Sequence, residues 1–343
     1  MVTQQIVAPP ARAAIFLVLT IAPGGHARVR DALTEISGLS RSVSFRRGED
    51  GLNCVVGIGA DAWDRLFDRP RPALLHPFVP LRGPRHAAPA TPGDLLVHLR
   101  AAQLDVCFEL ARLITDRLGS AVRVVDEVHG FRYFDERDLL GFVDGTENPE
   151  GDAATAAVLI GDEDPAYAGG SYVIVQKYVH DLAGWAALSA EEQERAFGRT
   201  KLDDVEMSDD IKPDNSHIAL TVIEGPDGTE RQILRDNMPF GSIAAGEFGT
   251  YFIGYAADVR VTEQMLRNMF LGTDAAAYDR ILDFSTALTG SLYFVPTIDL
   301  LDDPAWGAAA DSRASGSQES GNVQDEASIA PEGSLHIGGL KAH

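Results

Sequence analysis

Cysteine is nearly missing. Cys54 and Cys107 are the only two in 343 residues, and they form no CxxC pair. That excludes a disulfide scaffold and a thiolate metal motif, and it predicts two buried small hydrophobes in a cytoplasmic protein. Positive charge is scarce too. Against 51 Asp and Glu stand 29 Lys and Arg, a formal net charge of −22. A nucleic-acid partner needs a Lys/Arg surface, so none is expected, and an anionic membrane is excluded on the same ground. No apolar run reaches the roughly 18 residues of a membrane span. The one secretion-like segment, AAIFLVLTIA at 13–22, is rich in β-branched residues and reads as a buried strand. HExxH, a DxDxDG loop and a clustered His pair are all missing.

What is present is enough apolar sequence for a core, 45% of residues, in a length that suits two domains. The two halves echo each other. In the first, strand 15–21 leads into a helix, and strand 53–60 is followed by the helix DAWDRLF. In the second, strand 171–179 leads into HDLAGWAAL, and strand 249–258 is followed by the helix VTEQMLRNMF. Each half outlines strand–helix–strand–strand–helix–strand, which predicts an α+β protein of two ferredoxin-like domains with antiparallel sheets, 1–150 and 151–307. Seven prolines break up residues 69–93. A helix is predicted over 94–118, capped by Thr91, with Pro92 and Asp94 at its start, Gly119 at its end, and Leu95, Leu96 and Leu99 on its apolar side. Residues 308–332 are acidic and nearly free of large apolar side chains, which predicts a flexible linker. Leu335, Ile337 and Leu340 then reappear in GSLHIGGLKAH, 333–343, as a docking peptide would have them.

Chemistry concentrates in three stretches. In LLGFVDGTENPEG, 139–151, an apolar approach runs into Asp144 and then a turn. GIGADA, 57–62, imitates a dinucleotide fingerprint, but the acid that should follow about 20 residues later is missing. Its Asp61 is expected to cap a helix. Asp144 with Glu147 offers a divalent metal site, against which an Asx turn at Asp144 and Gly145 is the simpler reading. Of nine histidines most are expected to be solvated, but His217 in KPDNSHIALTVI sits between a turn and an expected strand. Arg235, Asp236 and Asn237 are expected to end a strand before a Pro239–Gly241 turn.

Taken together, GFVDGTENP, KPDNSHIAL and RDNMPFG, in this order and spacing, resemble the dye-decolorizing peroxidases, most closely the bacterial B-type group, over residues 10–305. The resemblance implies paired ferredoxin-like domains of the dimeric α/β-barrel type, with haem b held mainly by the C-terminal half. It implies His217 as the proximal iron ligand and Asp144 as the distal acid–base group. Arg235 and Asn237 would be its distal neighbours, and Gly145 and Thr146 would lie along the haem edge. Asp279 is the candidate partner of His217, with Asp283 the alternative. The implied reaction reduces hydrogen peroxide and oxidises dyes or phenolic, lignin-like donors by one-electron steps. Bulky aromatic donors would react at the surface, with Trp63, Trp185, Trp306 and the tyrosines as relay candidates and acidic residues as manganese candidates. GSLHIGGLK resembles the cargo peptide that loads B-type peroxidases into encapsulin shells, with residues 333–341 making the contact and His336 in place of a small residue. A homo-oligomer, such as a hexamer, is implied by the resemblance alone. Two other readings remain at this stage. One is a haem-handling protein of the same fold, storing haem or extracting its iron. The other is a haem-free interaction protein whose purpose is the tail.

Overall fold

The computed structural model describes residues 2–46 and 51–303. The linker 308–332, the peptide 333–343 and Trp306 lie outside the described residues. Among the described residues no helix is long and apolar enough to cross a membrane.

One antiparallel ten-stranded sheet runs through both halves. The first half supplies β1 (Ala13–Ile21), β2 (Asn53–Gly59), β3 (Leu95–Ala101) and β4 (Val122–Phe131). The second supplies β5 (Ser171–His180), β6 (Leu234–Arg235), β7 (Met238–Ser242), β8 (Glu247–Ala256), β9 (Ser285–Ala287) and β10 (Ser291–Val295). The order is β6-β8-β5-β10-β2-β3-β1-β4, with β7 also on β8 and β9 on β5. Each half therefore repeats the ferredoxin-like order, as the sequence echo predicted. The halves join where β10 meets β2, at Tyr293 opposite Gly59 and Phe294 opposite Ile58.

β1 is buried along almost its whole length because both of its faces are covered. Ile15, Leu17, Leu19 and Ile21 pack with helices α1 (His26–Arg46), α2 (Ala60–Leu66) and α3 (Leu104–Leu118). Ala14, Phe16 and Val18 point the other way, into a second core with Val173, Val175, Tyr251, Ile253 and Tyr255 of the other half. The two halves thus pack sheet on sheet. β7 comes so close to β4 that a Cβ on Gly130 would lie 2.4 Å from that of Met238, which is why a glycine stands there.

Several expectations fail. Residues 95–101 are strand β3, not the start of a helix, and the helix begins at Leu104. Leu95, Leu96 and Leu99 fit both periodicities, and pairing on both sides with β1 and β2 decides the matter. Asp94 accepts the Ile21 N–H at 2.6 Å, and Thr91 bonds to Gly290 of the second half, so neither caps a helix. Gly119 does end α3, at φ +52°. Asp61 makes no cap bond and pairs with Arg71. Pro239–Gly241 belong to β7, not a turn. Proline is tolerated there because β7 bonds to β8 alone. His98 and His180 are buried, against the solvated default.

The helix after Asp258, α6 (Val259–Leu271), is as expected. The run after His217 is not a strand: His217–Thr221 form one helical turn, α5. The Thr221 hydroxyl donates to the His217 carbonyl at 2.8 Å, a bond only a helical turn allows.

Candidate active site

A cleft that opens to solvent is lined mainly by the second half, with Asp138 and the 143–147 loop closing one side. Its walls are mostly apolar, from Ile218, Val222, Phe252, Leu266 and Met269 among others. The predicted residues His217, Asp144, Gly145, Thr146, Arg235 and Asn237 all line it.

Asp144 is fixed by the chain leading to it. Asp135 and Glu136 adopt φ +49° and +60°, the left-handed region that costs a non-glycine residue on the order of 1 kcal/mol or more. This bend aims the Glu136 carbonyl at the Asp144 N–H, 2.9 Å away. The Asp138 carboxylate accepts the Phe142 N–H at 3.0 Å, and the Trp185 indole donates to the Leu140 carbonyl at 2.9 Å. Asn148 then clamps the opposite strand. Its Oδ1 accepts the Arg235 N–H at 2.9 Å and its Nδ2 donates to the Arg235 carbonyl at 2.7 Å. Acid and guanidinium are therefore set against each other by one loop.

Asn237 Nδ2 donates to Asp144 Oδ1 at 3.2 Å, while Asn237 Oδ1 accepts the Ile253 N–H at 3.1 Å. The amide is held from one side and holds the acid from the other. Burial pushes the Asp144 carboxyl above its usual range, opposed by the Arg235 charge, the Asn237 hydrogen bond and His217. Burial lowers Arg235, while Asp144, Glu147 and Glu230 oppose that. Its buried Nε–H has no partner among the described residues, and such a group costs about 1–3 kcal/mol until something accepts from it.

His217 starts α5, and its Nδ1 lies 2.7 Å from Asp279 Oδ2. Asp279 is 0% exposed, and its other oxygen accepts the Ile281 N–H at 3.0 Å. A carboxylate can only accept here, so Nδ1 donates and Nε2 is left with its lone pair. The imidazole stays 22% exposed, and it faces the cleft. Asp283, the alternative partner, bonds to His86 instead, at 3.1 Å.

Thr146 donates to Asp204 at 2.8 Å, and Glu147 pairs with the buried Arg199. Trp63 and Trp185 are core side chains of the helical layer.

Four site residues went unrecognised in the sequence. Asn148 was inside a quoted motif but carries no local sign of its clamp. Arg199 lines the cleft from the turn after the short helix α4 (Ala190–Phe197). His180 lines the floor with both ring nitrogens used, Nδ1 at 2.8 Å from Ser285 and Nε2 at 3.0 Å from Thr250. Burial holds its pKa down at about 4, so it stays neutral. Asp138, six residues before Asp144, is pushed up to about 7 by burial and by the charge of Asp144.

Comparison with known proteins adds the following. The Dyp-type peroxidase N-terminal profile matches residues 3–132 and the C-terminal profile residues 135–300. A dye-decolorizing peroxidase of Mycobacterium tuberculosis is 65% identical over 301 residues, covering 88% of this chain and 90% of the relative. The cryo-EM structure of the encapsulated DyP-type peroxidase from Mycobacterium smegmatis superposes with a TM-score of 0.87 at 61% identity, over 88% of this chain and 98% of that one. A variant of DypB from Rhodococcus jostii RHA1 in complex with haem superposes with a TM-score of 0.85 at 58% identity, over 88% of this chain and 97% of that one.

Proposed function

The chain belongs to the Dyp-type peroxidase family, and from that premise we propose which of its residues do the work. The protein is a haem-dependent peroxidase, reducing hydrogen peroxide at the expense of a dye-like aromatic donor. The cleft suits the cofactor by its apolar walls and its donors: one imidazole lone pair and one buried guanidinium N–H that has no partner among the described residues. When bound, haem supplies an iron that peroxide oxidises by two electrons and the donor restores one electron at a time.

The observation that carries the assignment of roles is the His217–Asp279 pair. A fully buried carboxylate on Nδ1 fixes the tautomer, offers Nε2 to the iron and makes the imidazole more electron-donating. Asp144 would take a proton from peroxide and return it to the oxygen that leaves as the O–O bond breaks. Arg235 holds the negative charge that grows on that departing oxygen. Asn237 keeps the Asp144 carboxylate turned toward the reacting atoms through its 3.2 Å bond. Gly145 and Thr146, which line the cleft, would lie along the cofactor's edge. Phenolic or lignin-like donors too bulky for the cleft are oxidised at the surface.

The test is a dye assay with haem-loaded enzyme. Peroxide-dependent bleaching of a dye, with the iron retained in the porphyrin, is expected. Iron-free porphyrin without dye turnover would instead indicate haem handling.

We further propose that the enzyme works in the cytoplasm inside an encapsulin shell, as its M. smegmatis relative is encapsulated. Leu335, Ile337 and Leu340 would fill shallow pockets on the shell's inner wall, and 308–332 would give reach. Deleting 333–343 is expected to leave dye turnover intact and to abolish co-purification with the shell. Persistent encapsulation of the truncated enzyme would refute the docking role.

A further inference from the structure

We propose that Tyr255 and His98 form a buried redox pair, in which Tyr255 gives one electron to the peroxide-oxidised cofactor as its phenolic proton passes to His98 Nδ1. The inference rests on the peroxidase reading, which supplies the oxidant.

The pair bridges the two halves of the protein. Tyr255 stands on β8 and His98 on β3, both 0% exposed, with Oη and Nδ1 2.8 Å apart. Tyr255 lies opposite Leu234, one step in register from Gly254 with Arg235, so the phenol projects from the sheet face opposite to that of the reacting guanidinium. A tyrosine that loses an electron becomes a strong acid. In this dry core its proton can go only to the group already hydrogen-bonded to it. His98 is ready to receive it, because burial, and then the Arg100 charge, keep the imidazole neutral. Burial likewise keeps the phenol protonated until oxidation.

The remaining neighbours suit the charge that follows. With Nδ1 as acceptor, the proton of neutral His98 sits on Nε2, which has no hydrogen-bond partner among the described residues. It lies 3.9 Å from Asp236 Oδ2, a carboxylate anchored by Arg100. The imidazolium thus forms beside an anion. Behind the pair runs a ring stack: His98 on Phe16 at 4.6 Å, and Phe16 on Tyr251 at 4.2 Å. All three are buried, so the oxidising equivalent stays inside the protein. Without a donor the pair stores one equivalent. When a donor arrives, an electron returns to the tyrosyl radical through the cofactor and His98 gives the proton back.

Freeze-quenched electron paramagnetic resonance tests this. Full-length haem-loaded enzyme carrying ring-deuterated tyrosine is mixed with one equivalent of hydrogen peroxide and no donor. A tyrosyl radical that narrows with the label is expected. It should be lost in Tyr255→Phe, which keeps the ring and its packing, and retained in Tyr133→Phe. In excess peroxide without donor, Tyr255→Phe should bleach its Soret band faster. A wild-type enzyme without the radical, a Tyr255→Phe variant that keeps it, or equal bleaching would each overturn the pair. Dye turnover measured on the same wild-type sample separates this from failure of the peroxidase reading, which would abolish turnover as well.

Discussion

His217→Ala, purified with haem in excess, should show no Soret band or only a weak band from loosely held haem. Wild-type enzyme should show a strong band that shifts and weakens on one equivalent of peroxide. The large effect follows from the donor set: the cleft offers one imidazole lone pair in a fixed orientation, and Asp279 fixes it. Asp279→Asn isolates that second contribution. Two donors converge on the Asp279 carboxylate, His217 Nδ1–H and the Ile281 N–H. An amide has one oxygen and can accept from only one side, so one contact becomes donor against donor. Loss of haem affinity or peroxide reactivity by about 10–100-fold is expected, the range for partners of metal-bound histidine. A full-strength Soret band in His217→Ala would sink the ligand assignment. Unchanged peroxide kinetics in Asp279→Asn would sink the partner's role while leaving the ligand.

The second large effect is expected at Arg235. Arg235→Leu should slow the reaction with peroxide by roughly 10²–10³-fold, the usual loss when a preorganised donor to a developing oxyanion is removed. The pH profile should change with it, and the sign is fixed. Asp144 must be ionised to accept the peroxide proton, so the rate falls as pH drops through its pKa. Burial raises that pKa and the Arg235 charge opposes the rise. Without Arg235 the acid limb should therefore move to higher pH. The rate on the alkaline side should stay low, because charge stabilisation is lost there as well. Asn237→Ala removes one hydrogen bond to the same carboxylate, so its limb should shift in the same direction by less. Stopped-flow rates across pH settle it. An acid limb that does not move in Arg235→Leu would mean that Asp144 is not the group that titrates.

Much of this was legible along the chain. Strands 13–21 and 171–180 are apolar on both faces and announce themselves, and helix 259–271 keeps its stripe. Residues 95–101 misled because LLVHLRA satisfies two periodicities at once. What decides its state is pairing with strands 13–21 and 53–59, and its polar members are matched by partners distant in sequence. His98 and Arg100 are buried against Tyr255 and Asp236, far away in sequence. Thr221 bonding back to His217 turned an expected strand into a helical turn. Asp144, His217, Arg235 and Asn237, which line one cleft, stood out only as an ordered set of motifs, since each alone looks like an ordinary turn, core or surface residue. Asp138 gave no sign at all, because what sets its proton affinity is depth. Local sequence does not encode depth.

The single sheet also has a consequence for how the protein is made. Asp144 leaves the ribosome long before Asp279, on the order of ten seconds at ordinary synthesis rates. β10, the strand that joins the two halves, comes later still. A nascent chain therefore displays the acid, and then the imidazole, before the carboxylate that orients the imidazole exists. Haem cannot be gripped in its final geometry until translation of the domain is nearly over. Cofactor capture is thus tied to the last stage of synthesis, before the tail follows the domain out.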